Sequence, residues 1–360
     1  MYPIKFKPQL KENIWGGKRL LEIKKGLYSR SVDKSKVYGE SWDISGVKGS
    51  ISKVANGFLK GNDLQEIIEV YMGELVGEEV FEQFGLEFPL LIKNLDCNDT
   101  LSVQVHPNDE LAAERHDSFG KTEMWYIADA EEGAVIYLGF KNKKITREEY
   151  IRAVAEGTVA DILQAVPVKK GDVFFIPAGT VHALAKGLNV IEIQQTSDIT
   201  YRIFDWNRVD NEGKSRELHT ALAVDAIDFE SGVDECRRTY AMATNEEVNI
   251  VDCDHFKTDI LLVDGEAELD YCKRDSFTIY MCIEGDVEVV LDGEERETLR
   301  TGEVMLIPAI ANEVLVKGKA QILASHLESK SLRCKTIDGY RKRYPYLFGD
   351  ILSYCQSEAL

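Results

Sequence analysis

The chain has 360 residues, 44% of them hydrophobic and 29% charged, enough for two ordinary domains with proper cores. A net charge of −19 repels a phosphate backbone, which excludes nucleic acid as a partner and requires any anionic metabolite to meet a local basic pocket. No apolar stretch could span a bilayer, the opening "MYPIKFKPQLKENIWGG" lacks a signal-peptide core, and seven scattered cysteines without C-x-x-C spacing point to a reducing, cytoplasmic setting.

The first periodic segment is "DLQEIIEVYMGELVGEEVFEQFG", where Leu64, Ile67, Ile68, Tyr71, Met72 and Leu75 follow a helical three-four spacing and Gly73 and Gly77 weaken the helix towards its end. The apolar run "FPLLIKNLD" leads into "LSVQVHPND", whose alternation predicts a strand with Ser102, Gln104 and His106 on one face. Polar groups on an inward face are costly unless something binds them. "GKTEMWYIA" follows, and the same parity puts Lys121 and Glu123 together. "ITREEYIRAVAEGT" predicts a helix from the capping-box pair Thr146 and Glu149 to Gly157, with a shorter helix over "VADILQAV". The remaining segments read as short strands between turn signals: "GAVIYLGF", "GDVFFIP", "NVIEIQQT", "FTIYMCIEGDVEVVLDG" and "GEVMLIP". Glu192 alternates inward with Gln194 in the third of these, and Arg202, in "DITYRIFDW", is expected in a segment leaving the β framework. The class is mainly β, decorated by helical insertions.

An internal echo divides the chain. "KKGDVFFIPAGTVHAL" (169–184) matches "RTGEVMLIPAIANEVL" (300–315), with Gly171 to Pro177 spaced as Gly302 to Pro308. Two copies of one strand–turn–strand unit predict two related barrels. The expected division is 1–239, with the helical insertions, then 240–328, then a C-terminal extension over 329–360 without an assigned role. Gly179 and His182 of the first copy correspond to Ile310 and Glu313 of the second, so the second barrel is expected to be degenerate and metal-free.

Gln104, His106, Glu123 and His182 offer two imidazoles, a carboxylate and an amide oxygen. Such a set without thiolate suits a catalytic divalent metal, zinc first, with iron or manganese as alternatives. Gly171, Pro177, Gly179 and His182 resemble the second cupin motif, and Gln104, His106 and Glu123 a modified first one. With "NIWGG", "YGESWDIS", "FPLLIKNLDCNDTLSVQVHPND", "KTEMWY" and "QQTSDITYRIFDWNR", the chain is closely similar to the type I phosphomannose isomerases over roughly residues 1–325. The resemblance implies a bicupin fold of two jelly-roll barrels, one zinc ion per chain on Gln104, His106, Glu123 and His182, and a phosphosugar substrate. By the same resemblance Ser102, Lys121, Glu192 and Arg202 are the polar residues of the active site, and Lys93 is a further candidate substrate contact. The implied reaction interconverts mannose 6-phosphate and fructose 6-phosphate through a cis-enediol, with Arg202 facing developing charge and either Glu192 or Lys121 as the base. Two rivals stand beside it: a bicupin metal oxygenase acting on a small organic substrate, and a non-catalytic sugar-binding cupin. Lys121 and Arg202 weigh against the latter, which has no need of them. His116, His219, His255 and His326 are read as structural, Trp15 and Trp42 as packing residues, and the oligomeric state as monomer or homodimer.

Overall fold

The computed structural model describes residues 1–328 except 143, 210–211 and 231–232; the extension expected over 329–360 lies outside the described residues. These residues form three antiparallel sheets. A five-stranded sheet runs in the order Tyr201–Phe204, Val103–Val105, His182–Leu184, Val135–Phe140 and Leu163–Pro167. A seven-stranded sheet runs Arg237–Arg238, Val173–Ile176, Glu123–Ala130, Leu188–Gln195, Leu90–Cys97, Glu40–Ser45 and Gln9–Lys11. The third, also of seven strands, is built mainly from three 14-residue strands, Lys257–Asp270, Thr278–Leu291 and Glu313–His326.

The layering follows from which faces are apolar. The five-stranded sheet and the first seven-stranded sheet share a core of Leu95, Trp125, Ile136, Leu138, Ile176 and Leu184. Behind the five-stranded sheet, Val103, Val105, Tyr201 and Ile203 pack against residues of the helices Arg147–Ala155 and Thr220–Ala226. The opposite face of the seven-stranded sheet places Ile44, Ile92, Met124 and Ile193 in one cluster with Ile260, Ile279 and Leu323 of the third sheet. Both central strands, Leu90–Cys97 and Leu188–Gln195, are therefore buried along their whole length, which is why "PLLIKNLDC" reads as an apolar run rather than an alternation.

The helical expectations hold with local differences. Thr146 caps Arg147–Ala155 through the expected capping box, and Asp63 caps Leu64–Val76 in the same way. The latter helix is interrupted at Met72 (φ 45°), and Gly77 (φ 102°) opens the next helix, Glu78–Phe84. A Cβ at Gly77 would meet the Asp275 carbonyl oxygen at 2.4 Å, so only glycine fits there. "VADILQAV" is a correction: only Val159–Ile162 is helical, and Leu163–Pro167 pairs with Val135–Phe140 as an edge strand. Each half of the internal echo contains a four-residue strand ahead of its Pro turn, Val173–Ile176 in the first seven-stranded sheet and Val304–Ile307 in the third. The expected boundary at 239/240 is crossed by the start of the chain, because Ile4–Lys5 pairs with Val304–Ile307 in the third sheet. Among the described residues, no helix is long and apolar enough to cross a membrane.

Candidate metal centre and active site

The site lies between the five-stranded sheet and the first seven-stranded sheet, and strand register assembles it. In the five-stranded sheet Gln104 is paired with His182 on one side and Arg202 on the other, so one row carries all three. In the facing sheet Glu123 pairs with Gln194, and a second row runs Trp42, Lys93, Glu192, Trp125. His106 follows the strand Val103–Val105, and its carbonyl accepts the Gly179 N–H at 2.9 Å, tying the two motif blocks together. Gly179 (φ 90°) is required at that turn, where a Cβ would come within 3.0 Å of the Ala226 carbonyl oxygen.

His106, Glu123 and His182 converge with one donor atom each, all within 4.8 Å of one another. His106 Nδ1–H donates to the Ile199 carbonyl (3.0 Å) and His182 Nδ1–H to the Thr180 carbonyl (2.8 Å). These bonds set the tautomers and turn both Nε2 lone pairs inward, 3.6 and 3.4 Å from the Glu123 oxygens. His106 Nε2 and both Glu123 oxygens are fully buried with no hydrogen-bond partner. Orphaned buried acceptors are expensive. One atom each from His106, Glu123 and His182, clustered within 4.8 Å, fit a divalent cation of the kind nitrogen and oxygen donors prefer. Gln104 lies beside them, with its amide N–H directed at His182 Nε2 at 3.3 Å.

The electrostatics suit metal loading. Burial holds His106 well below its ordinary value, helped by Lys121, and burial lowers His182 to about 4. Both imidazoles are therefore neutral at physiological pH, the form that binds a metal. Burial, with Glu192 nearby, raises Glu123 to about 7. Burial alone would also raise Glu192, but Lys93 and then Lys121 hold it down to about 2.

Of the other expected residues, Lys121 is buried with its Nζ 3.4 Å from Glu123 Oε2, although it precedes the strand rather than belonging to it. Ser102 is buried just ahead of the strand Val103–Val105. Lys93 is not free. Its Nζ lies 3.0 Å from Glu192 Oε1 and 3.6 Å from Glu40, which commits it to two carboxylates. Arg202 does not leave the β framework as expected but sits in the strand Tyr201–Phe204. Its Nη1 donates to the Glu217 carbonyl at 2.9 Å, while its Nε is buried without a partner. Asp205 is taken by Arg208 and Arg216. Two residues were not anticipated. Trp125 Nε1–H donates to Glu192 Oε2 (3.0 Å), and its parity with Glu123 in "TEMWY" is a signal that could have found it. His219, read as structural, accepts the backbone N–H of Arg202 on Nδ1 at 3.0 Å, and nothing in the local sequence announces that contact.

Comparison with known proteins adds a second kind of evidence. A family model described as phosphomannose isomerase type I, catalytic domain, matches residues 4–142, and one described as mannose-6-phosphate isomerase, cupin domain, matches residues 246–327. The chain is 36% identical over 332 residues to the mannose-6-phosphate isomerase ManA of Bacillus subtilis, covering 90% of this chain and 99% of that protein. It is 33% identical over 324 residues to the mannose-6-phosphate isomerase of Streptococcus mutans, covering 90% and 98%. The crystal structure of the mannose 6-phosphate isomerase from Bacillus subtilis matches with a TM-score of 0.80 at 34% identity, over 91% of this chain and 100% of that one.

Proposed function

Because the chain belongs to the type I phosphomannose isomerase family, we propose that it interconverts mannose 6-phosphate and fructose 6-phosphate in the cytoplasm, with one zinc ion per chain as cofactor. The observation that carries the reading is the trio of orphaned acceptors on His106 and Glu123, with His182 beside them and the cations Lys121 and Arg202 on the adjoining positions. Gln104, His106, Glu123 and His182 would hold the metal, Gln104 by turning its amide so that the carbonyl oxygen faces inward. A divalent cation there would supply Lewis-acid stabilisation for negative charge on the sugar oxygens.

The reaction moves a proton between C1 and C2 through a cis-enediol, and this chain's residues divide that work. Glu192 is poorly suited to carry the proton, since Lys93 and Trp125 occupy its two oxygens and hold it as a carboxylate. Lys121 is the better candidate: its Nζ sits at the cluster, 3.4 Å from Glu123, and as the neutral amine it would take the proton from one carbon and, as the ammonium so formed, return it to the other. Arg202, anchored by His219 and the Glu217 carbonyl, directs its guanidinium charge at the enediolate. Ser102 contributes a hydroxyl to the substrate, and Lys93 acts on the substrate through Glu192. We read the two halves as paired cupin barrels, the second degenerate because Ile310 and Glu313 stand where the first has Gly179 and His182. A coupled assay on the purified, zinc-loaded protein tests the reading: mannose 6-phosphate should be converted to fructose 6-phosphate. Absence of conversion with zinc, manganese or iron would overturn it.

A further inference from the structure

A cleft of about 600 Å³ shares no residue with the His106–Glu123–His182 centre. It opens between the N-terminal segment, the loop after the helix Arg19–Ile23 and the turn at Gly302. Its lining sets four cations, Lys5, Lys7, Arg30 and Lys60, against two carboxylates, Asp43 and Glu303. Both carboxylates are already in use. Asp43 Oδ2 accepts from the buried Lys24 Nζ at 2.6 Å and Oδ1 from Ser41 Oγ at 2.6 Å, while Lys24 also reaches the Gly302 carbonyl at 2.6 Å. Glu303 Oε2 accepts from Lys5 Nζ at 2.8 Å and from the Arg300 N–H at 2.9 Å. Lys7, Arg30 and Lys60 are exposed and form no ion pair among the described residues.

That arrangement runs against the composition. The chain as a whole carries 62 acidic and 43 basic residues, so this cationic concavity is set in an acidic protein. Three unpaired cations around one concavity repel one another, and an entering anion relieves the repulsion. The volume is that of a metabolite site, and Phe6 and Tyr28 add an aromatic wall to the charged rim. A surplus of three positive charges matches a phosphate dianion better than a lone carboxylate.

We propose that this cleft binds a phosphorylated small molecule, with Lys7, Arg30 and Lys60 holding the phosphate, at a site separate from the isomerase centre. The test is calorimetric titration of the zinc-loaded, full-length protein with inorganic phosphate at low ionic strength. Wild type should bind two phosphates per chain. Lys7→Gln/Arg30→Gln/Lys60→Gln should bind one, or bind the second at least tenfold more weakly, with unchanged turnover of mannose 6-phosphate and an unchanged melting temperature. The single variants Lys7→Gln, Arg30→Gln and Lys60→Gln, each expected to weaken the second phosphate severalfold, keep the test valid should the triple variant fail to fold. A wild-type stoichiometry of one, or variants that retain wild-type stoichiometry and affinity, would overturn the proposal.

Discussion

Lys93→Met isolates the buried charge network beside the metal centre. In the native protein the Lys93 ammonium lies 3.0 Å from Glu192 Oε1 and 3.6 Å from Glu40, and Trp125 bonds the second Glu192 oxygen. Burial would raise the Glu192 carboxyl above its ordinary 4.5, yet Lys93 and Lys121 hold it at about 2. The depressed value means the pairing contributes stability that is fully present above pH 4.5 and lost as the pH falls towards 2. Removing the lysine leaves the buried Glu192 carboxylate beside Glu123 with less compensation, a change that costs about 3–5 kcal/mol. Lys93→Met/Glu192→Met removes both charges and should recover most of that loss. Urea unfolding at pH 7, followed by circular dichroism and tryptophan fluorescence, measures all three proteins. A loss below about 1 kcal/mol in the single variant, or a double variant as unstable as the single, would refute this account of the pair.

The remaining predictions concern catalysis and acid stability. Arg202→Ala should mainly lower kcat, because a cation facing the enediolate acts most strongly in the transition state, whereas Ser102→Ala should mostly raise KM, about tenfold for each ~1.4 kcal/mol lost; steady-state kinetics separate the two. Lys121→Met should abolish the limb of the pH–rate profile that reports the proton carrier, while Glu192→Gln should leave that limb in place, and the opposite pattern would reassign the base. His326 is buried 3.9 Å from Asp259, and burial, with Arg274 and Lys257, lowers it to about 2. Above about pH 6.5 it is neutral in both folded and unfolded states and contributes nothing, but below that the unfolded chain binds a proton the folded one refuses. Stability should therefore fall with decreasing pH by up to about 1.4 kcal/mol per unit from this group, and His326→Gln should flatten the slope in urea titrations at pH 7, 6 and 5.

Much of this was legible because periodicity is local. The Thr146–Glu149 capping box appears as expected, Lys121 and Glu123 do meet, at 3.4 Å, and strands form at Val173–Ile176 and Val304–Ile307 within the two echoing segments. What the sequence hides is pairing at a distance. Gln104 meets His182 and Arg202, and Lys93 meets Glu192 across 99 positions of chain, only because of antiparallel register that no local pattern encodes. Arg202 was misplaced for that reason, since four residues, "YRIF", are too short to announce a strand without the partner Val103–Val105. "VADILQAV" failed differently: a four-residue helix ends at Ile162, and tertiary pairing claims the rest as an edge strand. His326 passed as unremarkable because its partner Asp259 lies on a neighbouring strand.

On this mechanism His106, Glu123 and His182, with Gln104, hold the metal on which turnover depends. Metal content and isomerisation of mannose 6-phosphate, measured on the same preparation before chelation, after chelation and after zinc is restored, test it most directly. The preparation should hold one metal per chain, with turnover lost on stripping and regained on reloading, and neither metal nor turnover recovered in His182→Ala. A metal-free preparation that isomerises at the full rate, or a His182→Ala protein that keeps one tightly bound metal and wild-type turnover, would contradict it.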